Sequence, residues 1–329
     1  MNNILVTGGA GFIGSHFILQ FHDRYKNYRI INLDKLTYAA DLTNLDKITK
    51  SKRYCFLKGD ITDYDYVAKI YEEFKPKGTI NFAAESHVDN SIINPRSFVE
   101  TNVLGTQVLL ECAKKIGDDK HRFVQVSTDE VYGSLPLTGK FTEQSQLAPN
   151  SPYSASKAAA DLLVNSYNRT FGLETLITRC TNNFGPHQHF EKLIPKIIKN
   201  FLTGQPVPIY GNGTHIRDWI YVAEHCDAIE KVYLKGTSGE VYNIGANSEM
   251  SNIEVAHYIC ELLNTSSSLI HYVKDRAGHD FRYALDASKI RKELGWKPKN
   301  NFKKYLEKTI NWYKSKINTT LCLNFPESV

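Results

Sequence analysis

The chain is 329 residues long, enough for about two domains of roughly 150 residues each, and its 42% hydrophobic and 23% charged residues exclude a disordered chain. No apolar run approaches the ~18 residues that cross a bilayer, and residues 1–9 read as a first strand running into glycines rather than as a signal peptide. Forty Lys and Arg against 35 Asp and Glu leave a net charge of +5 with no basic block of five, so neither nucleic acid nor a membrane surface is an expected partner.

Residues 3–7 are a short apolar run that predicts a strand. Residues 12–25 predict a helix, with Phe12, Ile13, Phe17, Ile18 and Phe21 at three- and four-residue steps. Further strands are expected at 29–33, 54–57, 79–83, 123–126 and 175–178, with helices at 63–74, 98–116 and 154–170 between them. Strands alternating with helices at this spacing predict an α/β fold built on a doubly wound parallel sheet covered on both faces. Beyond residue 181 the texture changes. Asn182-Asn183-Phe184-Gly185-Pro186 reads as a turn, and a helix at Leu193–Leu202 precedes a Pro- and Gly-rich stretch at 204–213. Strands at 219–222 and 240–244 and helices at 223–234 and Asn252–Leu263 follow. The expected division is a large domain of residues 1–180 plus about 214–242 and a smaller C-terminal lobe of 181–213 plus 243–315. Residues 316–329 form a tail with no readable function.

The first predicted strand ends in Gly8, and Gly9-Ala10-Gly11-Phe12-Ile13-Gly14 fits G-x-G-x-x-G at the opening of a helix. Glycines there let the backbone turn tightly and approach a pyrophosphate, which sits where the amides of a helix N-terminus are free. Asp34 closes the second strand 20 residues after Gly14, where a carboxylate accepts the hydroxyls of an adenosine ribose. Its charge repels a 2′-phosphate and favours NAD over NADP; Lys35 beside it works against that preference. The large domain therefore reads as a Rossmann-type NAD-binding domain. Asp60, before Ile61, meets an adenine amino group or caps a helix.

Tyr153 and Lys157 stand at i and i+4, on one face of a helix. A nearby ammonium stabilises a phenolate and lowers the phenol pKa from its usual value near 10, and the same lysine can hold ribose hydroxyls. Ser127-Thr128-Asp129-Glu130-Val131-Tyr132-Gly133 follows the fifth strand, at the sheet edge where ligands bind in such folds. Its two adjacent carboxyl groups are either a solvated turn or an acid and a base whose surroundings separate their pKa values. The six cysteines, at 55, 112, 180, 226, 260 and 322, have no zinc spacing and read as free thiols of a cytoplasmic protein. His187 and His189 lack a third ligand nearby in sequence, so no metal site is expected.

Taken together, the glycine loop, the 127–133 segment and the Tyr153/Lys157 pair resemble the extended short-chain dehydrogenase/reductases. Within them, Ser-Thr-Asp-Glu-Val-Tyr-Gly resembles the dTDP-glucose 4,6-dehydratase family. Ala83-Ala84-Glu85-Ser86-His87-Val88-Asp89, Glu191-Lys192-Leu193-Ile194-Pro195 and Asp275-Arg276-Ala277-Gly278-His279-Asp280 support the resemblance, as do 182–186 and 213–219. It runs from residue 4 to about 313, with Phe184 where the family has tyrosine and Ala277 where it has proline. The resemblance implies a lyase that retains NAD. Tyr153 would take the C4 hydroxyl proton, Glu130 the C5 proton, and Asp129 would protonate the departing C6 hydroxyl, with Thr128 orienting the C4 oxygen and Lys157 beside the tyrosine. It adds Thr37, Ala83, Ala84 and Asn183 to the residues expected around the cofactor. It places Ser86, Asn182, Lys192, Leu193, Pro208, Tyr210, Arg217, Asn252, Arg276 and His279 around a nucleotide sugar, dTDP-glucose. It also implies a homodimer built on the helices at 98–116 and 154–170, although burial inside one chain explains their apolar residues equally well. Sister readings are a nucleotide-sugar 4-epimerase, a decarboxylase, a 4,6-dehydratase for another nucleotide, or a non-catalytic NAD-binding module. The resemblance also implies dTDP-rhamnose synthesis as the route served.

Overall fold

The computed structural model describes residues 1–116, 120–299 and 301–324. Its first six strands are β1 (Asn2–Thr7), β2 (Tyr28–Asp34), β3 (Tyr54–Lys58), β4 (Gly78–Asn81), β5 (Arg122–Thr128) and β6 (Glu174–Cys180). Then come β7 (Asn182–Phe184), β8 (Val207–Tyr210), β9 (Ile216–Tyr221), β10 (Val241–Ile244), β11 (Glu249–Ser251) and β12 (Ile270–Val273). Seven of them form one sheet in the order β10-β6-β5-β4-β1-β2-β3. Every neighbouring pair in it is parallel.

The helices are α1 (Phe12–Arg24), α2 (Tyr64–Phe74), α3 (Val88–Ile93), α4 (Pro95–Phe98), α5 (Gly105–Ile116) and α6 (Pro152–Phe171). After them come α7 (Leu193–Leu202), α8 (Val222–Lys235), α9 (Asn252–Leu263), α10 (Ser288–Leu294) and α11 (Phe302–Asn324). Alternation along the strands sends side chains to opposite faces. Ile4 and Val6 of β1 pack with α1, α8 and α10, whereas Leu5 packs with α2, α5 and α6. The result is the Rossmann-type layering expected from the sequence.

The smaller lobe has its own core. Ile194, Ile197 and Ile198 of α7 meet Val255 and Ile259 of α9 and Leu306 and Ile310 of α11. Around that core lie a three-stranded sheet, β11-β9-β7, and a two-stranded one, β12-β8. Four elements depart from the expectations. The stretch 182–186, read as a turn, contains β7, and the Pro- and Gly-rich 204–213 contains β8, because each gains a partner strand distant in sequence. The segment around α10 was assigned to the small lobe. Instead Ala287, Ile290, Leu294 and Trp296 pack with Phe17, Phe21 and Ile229 against the large sheet. The expected tail also starts inside α11, which continues to Asn324; residues 325–329 and the Cys322 side chain lie outside the described part. Among the described residues no helix is long and apolar enough to cross a membrane.

Candidate active site

β1 delivers the chain to Gly8, which adopts φ +67, and a Cβ there would lie 2.6 Å from the Ala83 amide nitrogen. A Cβ on Gly14 would lie 2.3 Å from the Gly8 carbonyl oxygen. The loop therefore closes only with glycine at these points. No side chain caps α1, whose N-cap is Gly11, so its first amides remain free donors facing the groove. Asp34 is buried at the end of β2. Its Oδ2 accepts from the Ala10 amide at 2.9 Å and its Oδ1 from the Leu36 amide at 2.8 Å. Burial raises its pKa while the two amides oppose the rise. Each oxygen keeps a lone pair for a further donor. Lys35, which counted against a preference for NAD, has its ammonium on Asp60 Oδ2 at 2.6 Å. Asp60 is not a helix cap: the cap of α2 is Asp63, which accepts from the Tyr66 amide.

Tyr153 and Lys157 occupy the first turns of α6, which starts with Pro152 and a capping box between Ser151 and Ser154. Both side chains are buried, and the Tyr153 ring meets Phe98 edge-on. The sequence pattern predicts a lowered phenol pKa. The structure differs: Lys157 Nζ donates to the Val126 carbonyl oxygen at 2.7 Å. Burial, then the nearby charges of Glu130 and Cys180, push the Tyr153 phenol well up. Burial pushes Lys157 down.

Strand β5 ends at Thr128, and a turn of 3-10 helix carries Asp129 and Glu130. The Thr128 hydroxyl accepts from the Glu130 amide at 3.2 Å and donates to Asp129 Oδ1 at 3.3 Å. Asp129 is only 2% exposed, and its Oδ2 has no protein partner. This excludes the solvated-turn reading. Burial and the adjacent Glu130 raise the Asp129 pKa well above the ordinary carboxyl value, with Arg217 opposing. Glu130 is also raised by burial, but Arg276 and Arg217 pull it back. The two acids are thus held in unlike electrostatic surroundings.

One open cleft joins these parts. Gly8, Gly11, Phe12, Ile13, Gly14, Asp34, Lys35, Thr37, Asp60, Ile61, Ala83, Ala84 and Asn183 line it. So do Thr128, Asp129, Glu130, Tyr153, Lys157, Ser86, Asn182 and Lys192. Leu193, Pro208, Tyr210, Arg217, Asn252, Arg276 and His279 do not line it and lie on the neighbouring lobe. Asp89 gathers two of them, accepting from Tyr210 Oη at 3.1 Å and pairing with Arg276 at 3.5 Å. Arg217 is no surface charge. It is buried, lies over the Tyr283 ring, and donates to the carbonyls of Ile216, Asp280 and Phe281. Asn252 opens α9 with a buried Oδ1 lacking a partner, and burial pushes His279 down to about 4.

Sequence reasoning missed Ser127, Thr181 and Cys180, which also line the cleft. Ser127 Oγ and Thr181 Oγ1 are buried without partners. Their place at the C-terminal ends of β5 and β6 was the available signal. Also missed was His225, whose Nδ1 is 2.9 Å from Asn183 Oδ1 and holds that amide in the cleft wall.

A family model described as GDP-mannose 4,6 dehydratase matches residues 5–309. The dTDP-glucose 4,6-dehydratase of Xanthomonas campestris is 50% identical over 325 residues, covering 94% of this chain and 92% of that protein. The chain belongs to the dTDP-glucose 4,6-dehydratase family. The Salmonella typhimurium enzyme of that name is 48% identical over 337 residues, covering 94% and 92% of the two chains. A dTDP-glucose 4,6-dehydratase from Bacillus anthracis, solved in complex with NAD, matches with a TM-score of 0.90 at 46% identity over 97% of this chain and 98% of that one. The family member DesIV from Streptomyces venezuelae, solved with NAD and TYD bound, gives 0.93 at 45% identity over 96% and 98%.

Proposed function

We propose that this chain is a dTDP-glucose 4,6-dehydratase, a hydro-lyase that converts dTDP-glucose to dTDP-4-keto-6-deoxyglucose and water. The observation that carries the reading is the Asp129–Glu130 pair, the first buried and the second half-buried, in the same cleft as Tyr153 and the glycine loop. A dehydrogenase or an epimerase needs the tyrosine and lysine but not two carboxyl groups in opposite protonation states.

The residues present fit NAD. The Gly8–Gly14 cradle leaves no room for a Cβ, the amides opening α1 are uncapped, and Asp34 can take ribose hydroxyls. When bound, NAD supplies a hydride acceptor and later donor, together with a positive ring charge that favours the Tyr153 phenolate. Tyr153 takes the proton of the C4 hydroxyl as C4 is oxidised, and Thr128 orients the C4 oxygen. The 4-keto group acidifies the C5 hydrogen, which Glu130 removes. Asp129, held protonated, gives its proton to the C6 hydroxyl, which leaves as water. C5 is reprotonated when C6 is reduced, so the net redox change is zero. Lys157 stands one helical turn from the phenol and reaches ribose hydroxyls on leaving the Val126 carbonyl.

Ser86, Asn182 and Lys192 line the sugar end of the cleft in this reading. Arg217, Arg276 and His279 lie on the diphosphate side, with Leu193, Pro208, Tyr210 and Asn252 around the nucleoside. The five cysteines described are free, which suits a reducing cytoplasm. The product would feed deoxysugar synthesis, with dTDP-rhamnose the first candidate.

The test is incubation with dTDP-, UDP-, CDP- and GDP-hexoses. A 4-keto-6-deoxy product from dTDP-glucose is expected, with deuterium placed at C4 recovered at C6. A 4-epimer as the product, or turnover only with another nucleotide, would overturn the assignment.

A further inference from the structure

His215 and Asp275 are sixty residues apart in the chain, and His279 follows four residues after the acid. In the small lobe they meet. The two imidazole rings stack face to face, with 3.6 Å between centroids and 16° between planes. Asp275 spans the edge of both rings: its Oδ1 is 2.7 Å from His279 Nδ1 and its Oδ2 3.4 Å from His215 Nε2. The three candidate donor atoms all fall within 4.8 Å of one another. His215 is 8% exposed, and its Nδ1 is buried without a partner.

We propose that His215, Asp275 and His279 form a binding site for a borderline divalent transition metal of the Zn²⁺, Co²⁺ and Ni²⁺ class. Two imidazoles and one carboxylate are a donor set such ions take, with a fourth position open. Hard cations such as Mg²⁺ and Ca²⁺ prefer oxygen-rich shells and do not suit it. A tetrahedral ion with bonds near 2.0–2.2 Å separates its ligands by about 3.3 Å and takes each imidazole in its ring plane, so binding requires one of the stacked rings to rotate out of the stack toward Asp275. The groups facing the cluster set its strength. Tyr210 lies edge-on to His279, Phe281 is tilted against His215, and the Arg276 amide donates to Asp275. The charges of Arg217 and Arg276 reach His215 and oppose a cation. The site is therefore weaker than a structural zinc centre.

Occupancy would take His279 away from the nucleotide sugar. Metal and sugar nucleotide then oppose each other's binding reciprocally, a consequence that rests on the function proposed above. The test uses the holoenzyme, stripped with chelator, in wild-type, His215→Gln and Asp275→Asn forms. Equilibrium dialysis measures Zn²⁺, and visible absorption reads the geometry of bound Co²⁺. The wild type is expected to bind one Zn²⁺ more than either variant, or to bind it about tenfold or more tightly. Activity of His215→Gln in metal-free buffer is expected to be unchanged. Added Zn²⁺ should raise the KM for the nucleotide sugar in the wild type and not in His215→Gln. Equal Zn²⁺ binding by all three proteins would overturn the site. A binding difference with an unchanged KM would keep the site and overturn the competition. Zn²⁺ binding is measured whether or not the chain acts on a nucleotide sugar, so failure of one reading is distinguishable from failure of the other.

Discussion

Asp129 and Glu130 are neighbours in sequence, yet their environments differ in the direction the proposed chemistry requires. Asp129 is buried against a second carboxyl group, so its proton is retained. Glu130 is half-buried and faces Arg276 and Arg217, which favour its anion. Elimination needs Glu130 ionised and Asp129 protonated. It should therefore fade as pH falls through the raised pKa of Glu130, and fade again as pH rises through the more strongly raised pKa of Asp129. A bell-shaped kcat profile is expected, with both limbs above the ordinary carboxyl range; a flat profile across that range would contradict the assignment. Glu130→Gln should still oxidise C4, read as NADH absorbance with substrate, while forming product about a hundredfold or more slowly. Normal product formation by that variant would remove Glu130 as the base. The sequence singled out these two acids, which line the cleft, but made Tyr153 an easy phenolate. The correction comes first from burial of the phenol and then from the nearby Glu130 and Cys180, while the Lys157 ammonium is engaged by the Val126 carbonyl.

Helix α6 is the element that aims the tyrosine, and it is anchored at several points. Its N-terminus carries the Ser151–Ser154 capping box. Midway, Asp161 is fully buried and pairs with Arg179 of β6 at 2.9 Å, and Arg179 also donates to Tyr132 Oη. A turn of π-helix between α4 and α5 presents Asn102, which bonds Ser156 of α6 and the Glu85 backbone beside the cleft. Removing one member of a buried ion pair strands the other charge. Asp161→Ala should accordingly lower stability by about 3–5 kcal/mol in denaturant unfolding. Ser151→Ala should cost about 1 kcal/mol by loss of the cap, seen as a small fall in Tm. An unchanged midpoint for Asp161→Ala would mean that α6 is held by packing alone. The helical pattern of this region was readable, but the π turn was not, because its bulge arises from what Asn102 finds across the interface.

At the scale of the molecule, the apolar surface expected at 98–116 divides in two. Val108, Leu109 and Leu110 are buried against the sheet, while Leu104 is 48% exposed. On α6, Leu162 is 59% exposed. A homodimer, which the resemblance implies, would bring these outward residues, Leu104 at the end of the π turn before α5 and Leu162 on α6, to its contact. Leu104→Lys with Leu162→Lys should convert a dimer to a monomer by sedimentation; a wild-type protein that already sediments as a monomer would refute the contact. The sequence alone pointed to the parallel sheet, the glycine loop, Asp34 and the five cleft residues Thr128, Asp129, Glu130, Tyr153 and Lys157. Those signals are local, since strand length, helical period and glycine placement act over a few residues. The tertiary structure decided what depends on distant partners. It made strands of 182–184 and 207–210 and returned α10 to the large core. It also buried Arg217, separated the two acids electrically, and brought His215 to Asp275 and His279. None of these can be read along the chain, because burial and charge proximity are set by residues that only folding brings together.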